Sequence, residues 1–572
     1  MLVGLSTIVI ALLAAWLVVR VARDPGPEGR DPAATVRRLF LYGLLYTTVI
    51  LAAQGVIELT GELIESDRRS NTALAQAMSF LIIGLPVAGL LGRSIDRRLA
   101  ARPEERMALA WTVYLNAILA TAVVGFVIEG HAVLHAALSS DSERSFQISN
   151  IVAAVVWGGV WAGHWFGLRR RHGILGDLHL AIGTIVGLVP MVVGLGGVTY
   201  IGADILYDAV TDNPDTSQAE PGFGYFAALA VAGAVVWAWY WLNNYRRSPR
   251  TEIWYVTVVP VGALAGFVAT IVGVAAAIND VGVWFLGNPD AATAVRHFDS
   301  IPALVGVVAA GAPCWLYHRW ELGPDPDRGM AIRVYDYLLA FAALVASVVG
   351  ITMLLVAVFD DGPGSVANTV VGGATTVAVA GPVWVWFWSR IGATVRADPG
   401  RETNSPVRRV YLFTLFGVGG LLVLISALAL LFTTIEDVLD GTLSRRTLHD
   451  DRIGLAILLT VTGVAWYHYR IYRADRKTGE RPPPTKPPEK AVHDRRVVLV
   501  ASNHSRLARH LAETSGASVV HWHRTDHEEG PVDVVDLDRQ LIDRADEDLL
   551  VILGADGPIV IPFVDDIKES EQ

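Results

Sequence analysis

Apolar positions along this chain come in continuous runs rather than in alternation with polar ones. The runs begin near Leu2, Leu39, Thr72, Met107, Ile148, Leu178, Phe226, Ile253, Ile301, Val334, Val370, Val410 and Ile453. A helix crossing about 30 Å of hydrocarbon needs roughly 20 predominantly apolar residues, and these runs meet that length. The period-two pattern of a transmembrane β-barrel is absent. The prediction is an all-α polytopic membrane protein with about 13 transmembrane helices.

The pattern changes near the C-terminus. Pro482-Pro483-Pro484-Thr485-Lys486-Pro487-Pro488 reads as a semi-rigid spacer. Beyond it, short runs at 497–500, 518–522, 549–553 and 559–562 read as strands, with helices over 505–515 and 537–545. Gly554-Ala555-Asp556-Gly557 supplies a hairpin turn. The expected organisation is an N-terminal transmembrane anchor at 1–24, transmembrane hairpins at 34–470, a Pro-rich linker at 471–494, and a small α/β domain at 495–566.

Composition agrees with a membrane class, with 52% hydrophobic and 18% charged residues and a mean hydropathy of +0.42. A soluble chain carries about 25% charged residues. The formal net charge of −10 leaves no basic surplus for a polyanion, so no nucleic-acid partner is expected. One cysteine, Cys314, excludes an intramolecular disulfide and a Cys-rich metal site.

Charge placement predicts orientation. Alternate connections, from the Arg20–Arg38 stretch to the Arg390–Arg409 stretch, hold 24 Arg, against 7 in the intervening ones. Arg-rich connections face the cytoplasm by the positive-inside rule. The N-terminus is then outside and the tail cytoplasmic. Met1 to Val19 carries no charged side chain and Arg20 follows, the order of a retained anchor rather than a cleaved signal.

After the anchor, twelve runs fall into six pairs with a period of roughly 70 to 80 residues, which calls for a repeat architecture. First helices open on Arg and aromatics, as in Arg37-Arg38-Leu39-Phe40-Leu41-Tyr42, Arg333-Val334-Tyr335 and Arg408-Arg409-Val410-Tyr411. Second helices close on a small residue or Pro, then Trp and often His. Examples are Trp161-Ala162-Gly163-His164-Trp165, Pro313-Cys314-Trp315-Leu316-Tyr317-His318, Gly381-Pro382-Val383-Trp384 and Trp466-Tyr467-His468. These motifs resemble the bacterial and archaeal membrane-repeat family known as domain of unknown function 5671, over about Val36 to Arg470. The first pair lacks the Trp and His, and the third lacks both the basic opening and the Pro. The resemblance implies a repeat fold in a bacterial or archaeal cell membrane and no particular activity, and two spans per repeat make the six repeats parallel.

Candidate chemistry is sparse. Trp161, Trp315, Trp384 and Trp466 read first as an interfacial aromatic belt and second as a ligand cage. His164, His318 and His468 beside them could titrate or contact a headgroup phosphate. His131 and His135, four apart with Glu129 nearby, form a weak metal pair that lacks the Glu of zinc proteases. Gly159, Gly163 and Gly167, and Gly262 with Gly266, read as close-packing stripes. In the tail, Ser502-Asn503-His504-Ser505 stands at a helix start where an anion could bind, without a Gly-rich dinucleotide fingerprint, and His521, His523 and His527 read as a solvated face or a partner-docking surface rather than a metal site. No catalytic residue or cofactor is expected, and an enzyme ranks last. The leading expectation is a non-enzymatic membrane scaffold or sensor whose tail docks a cytoplasmic protein partner. The alternative is a transporter or channel for a small or amphiphilic substrate through the repeat bundle.

Overall fold

A computed structural model describes residues 32–64, 70–102, 105, 108–138, 148–168, 174–211, 222–323, 329–360, 366–479, 496–502, 505–524, 532–544, 547–555 and 557–563. The anchor expected at 1–24 and most of the Pro-rich linker lie outside those residues. The chain divides into two compact units, Met1–Gly479 and Glu480–Gln572.

The first unit is helical. Its long helices are α1 (Pro32–Ile64), α2 (Asn71–Ala101), α3 (Leu109–Leu138), α4 (Ile148–Leu168), α5 (Ile174–Thr211), α6 (Phe223–Trp237), α7 (Ala265–Leu286), α8 (Ile301–Glu321), α9 (Met330–Val358), α10 (Val366–Ala397), α11 (Pro406–Leu439) and α12 (Arg452–Gly479). Helix α6 runs on as a π-helical turn, Ala238–Leu242. Helix α7 is preceded by Glu252–Val256 and a second π-helical stretch, Thr257–Leu264. Among the described residues, ten helices are long and apolar enough to cross a membrane. Helices α4 and α12 are not among the ten, and α12 ends in the charged run Arg470 to Lys477. Against thirteen predicted spans, the protein is a multi-pass membrane protein with ten such helices described.

Consecutive helices pack as hairpins: α1 on α2, α3 on α4, α5 on α6, α7 on α8, α9 on α10, and α11 on α12. Each hairpin also packs on the next, through α1 with α4, α3 with α6, α5 with α8, α7 with α10, and α9 with α12. Hydroxyls inside these helices bond back to the carbonyl one turn earlier, as Thr48 to Leu44 and Ser347 to Ala343, which satisfies them where water is excluded.

Glycine sets the closest approach between α7 and α8. A Cβ on Gly266 would stand 2.6 Å from the Trp315 amide nitrogen, and one on Gly311 2.8 Å from the Gly266 carbonyl. The expected Gly159 and Gly163 stripe does not act this way, because a Cβ on either meets nothing within 4 Å. Small residues with the right spacing mark a possible seam, and which face of the helix meets a neighbour decides whether it is used.

The second unit is a mixed four-stranded sheet of β1 (Arg496–Ala501), β2 (Ser518–His523), β3 (Leu549–Gly554) and β4 (Gly557–Pro562), in the order β2-β1-β3-β4. Strand β1 is parallel to β2 and β3, and β4 returns antiparallel to β3. Helices α13 (Ser505–Ser515) and α14 (Val534–Asp543) follow β1 and β2. Leu507 and Leu511 of α13 and Leu537 and Leu541 of α14 share one core with Val497, Leu499, Leu549 and Val551. Both helices therefore cover the same face of the sheet. The chain moves in opposite directions across the sheet in its two crossovers, so one of them is left-handed, contrary to the usual preference.

Candidate functional site

Two arrangements in the molecule concentrate chemistry, one in each unit. In the helical unit it gathers where hairpins begin and end, beside the Arg-rich connections.

Three hairpins are clasped there by an Arg early in the first helix and a carboxylate at the end of the hairpin. Arg38 donates to both oxygens of Glu105, Nε to Oε2 at 3.1 Å and Nη2 to Oε1 at 2.9 Å. Arg408 grips Asp475 in the same forked way at 2.6 and 3.3 Å. Arg333 Nε reaches Glu402 Oε2 at 2.9 Å. The separations are 67, 67 and 69 residues, close to one repeat. Between hairpins, Arg246 meets Glu321 at 2.7 Å. The forked geometry suits guanidinium and carboxylate and no Lys would reproduce it. Glu105 lies outside the spans, and the Arg38 guanidinium bonded to it holds its carboxyl below the usual carboxylate range, against a smaller upward push from desolvation.

The last two clasps are joined. Tyr337 accepts from Arg408 Nη1 at 3.2 Å and donates to Glu402 Oε1 at 3.3 Å, so five side chains from Arg333 to Asp475 form one network across two hairpins.

A second series links each hairpin to the next. Trp161 Nε1 donates to Tyr240 Oη at 2.7 Å, Trp241 to Tyr317 at 2.7 Å, Trp315 to Tyr335 at 2.9 Å, and Trp388 to Tyr467 at 2.7 Å. The first interface uses Tyr46 with Thr121 at 2.9 Å instead. In each of the four Trp cases the indole sits at the end of a hairpin's second helix and the phenol belongs to the following hairpin. Two of the four candidate Trp residues, Trp161 and Trp315, are thus inter-hairpin links rather than only lipid-facing belt residues. Trp384 stacks on Trp388, with ring centroids 6.3 Å apart. Trp466 is exposed, as a belt residue would be.

The three histidines share one geometry. Nδ1 of His164, His318 and His468 donates to the carbonyl four residues earlier, at 2.7, 2.7 and 2.8 Å. That bond places a proton on Nδ1 in each ring and fixes the ring's orientation. Tyr114 Oη and His164 Nε2 are hydrogen-bonded at 2.8 Å. His318 packs against Gly262 and beside Trp241, and His468 sits between Trp388 and Tyr411. The two π-helical stretches carry Trp241 and Gly262 of this layer. Pro260 lies in the second one, where a missing N–H and ring bulk favour a widened turn. At the opposite end of the bundle, His131 and His135 stack with ring centroids 5.8 Å apart, and His131 Nε2 donates to the Tyr225 carbonyl at 3.2 Å. Among the described residues, no group of three or more His, Cys, Asp or Glu is placed to hold a metal ion.

In the second unit the site is a surface. Strand register aligns Val520, Val498, Leu550 and Ile561 in one row across the sheet, and Trp522, Val500, Ile552 and Ile559 in the next. Side chains alternate between faces along a strand, so these eight share the face opposite α13 and α14. All eight are apolar. Trp522 is 59% exposed, Ile559 53%, Ile561 42% and Val520 40%. The four central residues are more enclosed, Val498 being buried and Val500, Leu550 and Ile552 half-buried, and within this unit both helices lie on the other face. Parallel strands normally have both faces covered, and contiguous apolar patches of this kind are uncommon on water-exposed surfaces. Arg524 borders it, donating to the Leu553 carbonyl at 2.5 Å. Of the other candidates in this unit, His521 donates to the Ala501 carbonyl at 3.1 Å, and Asn503, His504 and His527 lie outside the described residues.

Sequence reading had missed the clasps, the Trp-to-Tyr series and the open face. The recurring 67-residue separation of Arg and acid was a findable signal. The face was findable from continuous apolar runs in strands, once only two helices were available to cover them.

No curated protein and no solved structure matches the chain. The expected resemblance over about Val36 to Arg470 is narrower than that span, because residues 164–332, which carry both π-helical stretches, fall outside the matched regions. All three hairpin clasps fall inside them. Two regions of this multi-pass membrane protein, residues 38–163 and 333–481, match the family described as domain of unknown function 5671.

Proposed function

We propose that this protein is a non-enzymatic membrane scaffold or sensor, which holds a cytoplasmic α/β module at the membrane so that its apolar sheet face docks a protein partner. The observation that carries this reading is an all-apolar sheet face on which Trp522, Ile559, Ile561 and Val520 are exposed. A face of that composition costs solubility unless another surface covers it. The helical unit fits a supporting role, since Arg–carboxylate pairs close single hairpins and Trp–Tyr bonds hold neighbouring hairpins together. Six parallel repeats after an N-terminal anchor, with the tail inside, complete the reading.

The test is proximity labelling from the C-terminal module of the full-length protein in native membranes. The wild type is compared with the double variant Trp522→Glu and Ile559→Lys. A defined set of cytoplasmic neighbours that disappears with the variant supports docking through this face. An unchanged set would refute it. Solute flux through liposomes containing the purified protein, above protein-free liposomes, would move the reading to transport.

A further inference from the structure

We infer that the helical unit carries a binding site for one glycerophospholipid whose zwitterionic headgroup joins a primary, hydrogen-bonding ammonium to its phosphate, in a groove between α3, α4 and α6. The groove has a volume of about 360 Å³ and is walled by Phe126, Gly130 and Leu134 of α3, Ile151 and Gly158 of α4, and Val235 of α6. Every wall residue is apolar or Gly, which fits an acyl chain and no polar solute. Gly130 opens it, since a Cβ there meets nothing within 4 Å.

Its mouth differs in kind from its walls. The wall residues Gly130 and Leu134 are flanked along α3 by Glu129 on one side and by His131 and His135 on the other. Glu129 is fixed by Asn150 of α4, whose amide donates to Oε2 at 2.9 Å. His131 is fixed by the Tyr225 carbonyl of α6 at 3.2 Å, and His135 stacks parallel to it with an interplanar angle of 12°. Tyr225 meets both rings edge-on. The Glu129 carboxylate thus stands beside the groove toward α4 and the His135 imidazole beside it toward α6, the His131 N–H being already given to the Tyr225 carbonyl. A headgroup ammonium pairs with the first and its phosphate accepts from the second. These groups lie near the end of α3 remote from its Arg-rich start, at headgroup depth for a spanning helix.

Acyl chains gain little by exchanging lipid neighbours for an apolar wall, so the headgroup supplies the selectivity and the groove supplies the position. Two histidines and one Glu that look like a partial metal site are assigned here to a lipid.

The full-length protein is stripped in detergent, exchanged into vesicles of phosphatidylethanolamine, phosphatidylcholine or phosphatidylglycerol, and re-extracted. Lipid retained per chain is counted by mass spectrometry. Wild type should retain one phosphatidylethanolamine and little of the others. Glu129→Gln should lower its affinity about tenfold, the loss of one hydrogen bond to a charged group. Gly130→Leu should abolish retention by filling the groove while the unfolding temperature holds, and Val235→Trp fills it from the opposite wall if Gly130→Leu fails to fold. Equal retention of the three lipids, or retention unaffected by a folded groove-filling variant, would overturn the site.

Discussion

Arg408 and Asp475, 67 residues apart, are joined by two hydrogen bonds of 2.6 and 3.3 Å that close the last hairpin of the helical unit. Arg408 is 5% exposed and also donates to Tyr337, so its charge sits among fully engaged partners. Removing one member of such a pair leaves the other charge buried alone, which costs roughly 3 to 5 kcal/mol. Arg408→Ala should therefore lower the unfolding temperature of the purified protein more than alanine at exposed Arg446. Equal shifts would deny the clasp its role.

The first clasp gives a pH signature. Arg38 holds the Glu105 carboxyl below its ordinary value of 4.5, so the folded state binds fewer protons than the unfolded state as pH approaches that value. Its contribution to stability is complete above about pH 4.5 and is lost as pH falls through the lowered folded value. Thermal unfolding between pH 3 and 6 should show wild type losing its advantage over Glu105→Gln toward the acid end. A constant difference across that range would contradict it.

Tyr240 is buried and accepts from Trp161 while facing His179 Nε2 at 3.0 Å. Tyr240→Phe keeps the ring but strands the Trp161 N–H in an apolar setting, at about 1 to 3 kcal/mol. Trp161→Phe in the same background should then cost little more, because the two changes remove one interaction. Additive losses in chemical unfolding would argue against the Trp–Tyr link.

Much of this fold is legible from residue pattern alone. Continuous apolar runs locate the long helices to within a few residues, because length and composition suffice for spanning segments. Strands such as 497–500 and the helix over 505–515 are visible because their apolar period is local. The clasps, the staples and the open sheet face were not read, since each depends on residues that the fold, rather than the sequence, makes neighbours. Gly159 and Gly163 show the converse, a local spacing whose helix face meets no partner. The Trp residues were read as a belt because amphipathic indole suits both an interface and an inter-helix bond, and only the phenol across from Trp161 or Trp315 separates the two.

Orientation remains a prediction from the Arg asymmetry. In a Cys314→Ala background, cysteine at exposed Leu443 should react with an impermeant reagent on intact cells, and cysteine at exposed Ser518 only after permeabilisation. The reverse pattern would invert the topology and put the docking module outside.

The most direct measurement places a photo-crosslinking amino acid at Trp522, on the open sheet face, and separately at Arg539, exposed on the helix side of the same module. Both proteins are full length and irradiated in native membranes. The account predicts a discrete partner adduct from position 522 and none from 539. Adducts that are equal from the two positions, or none from 522, would contradict a docking role for that face.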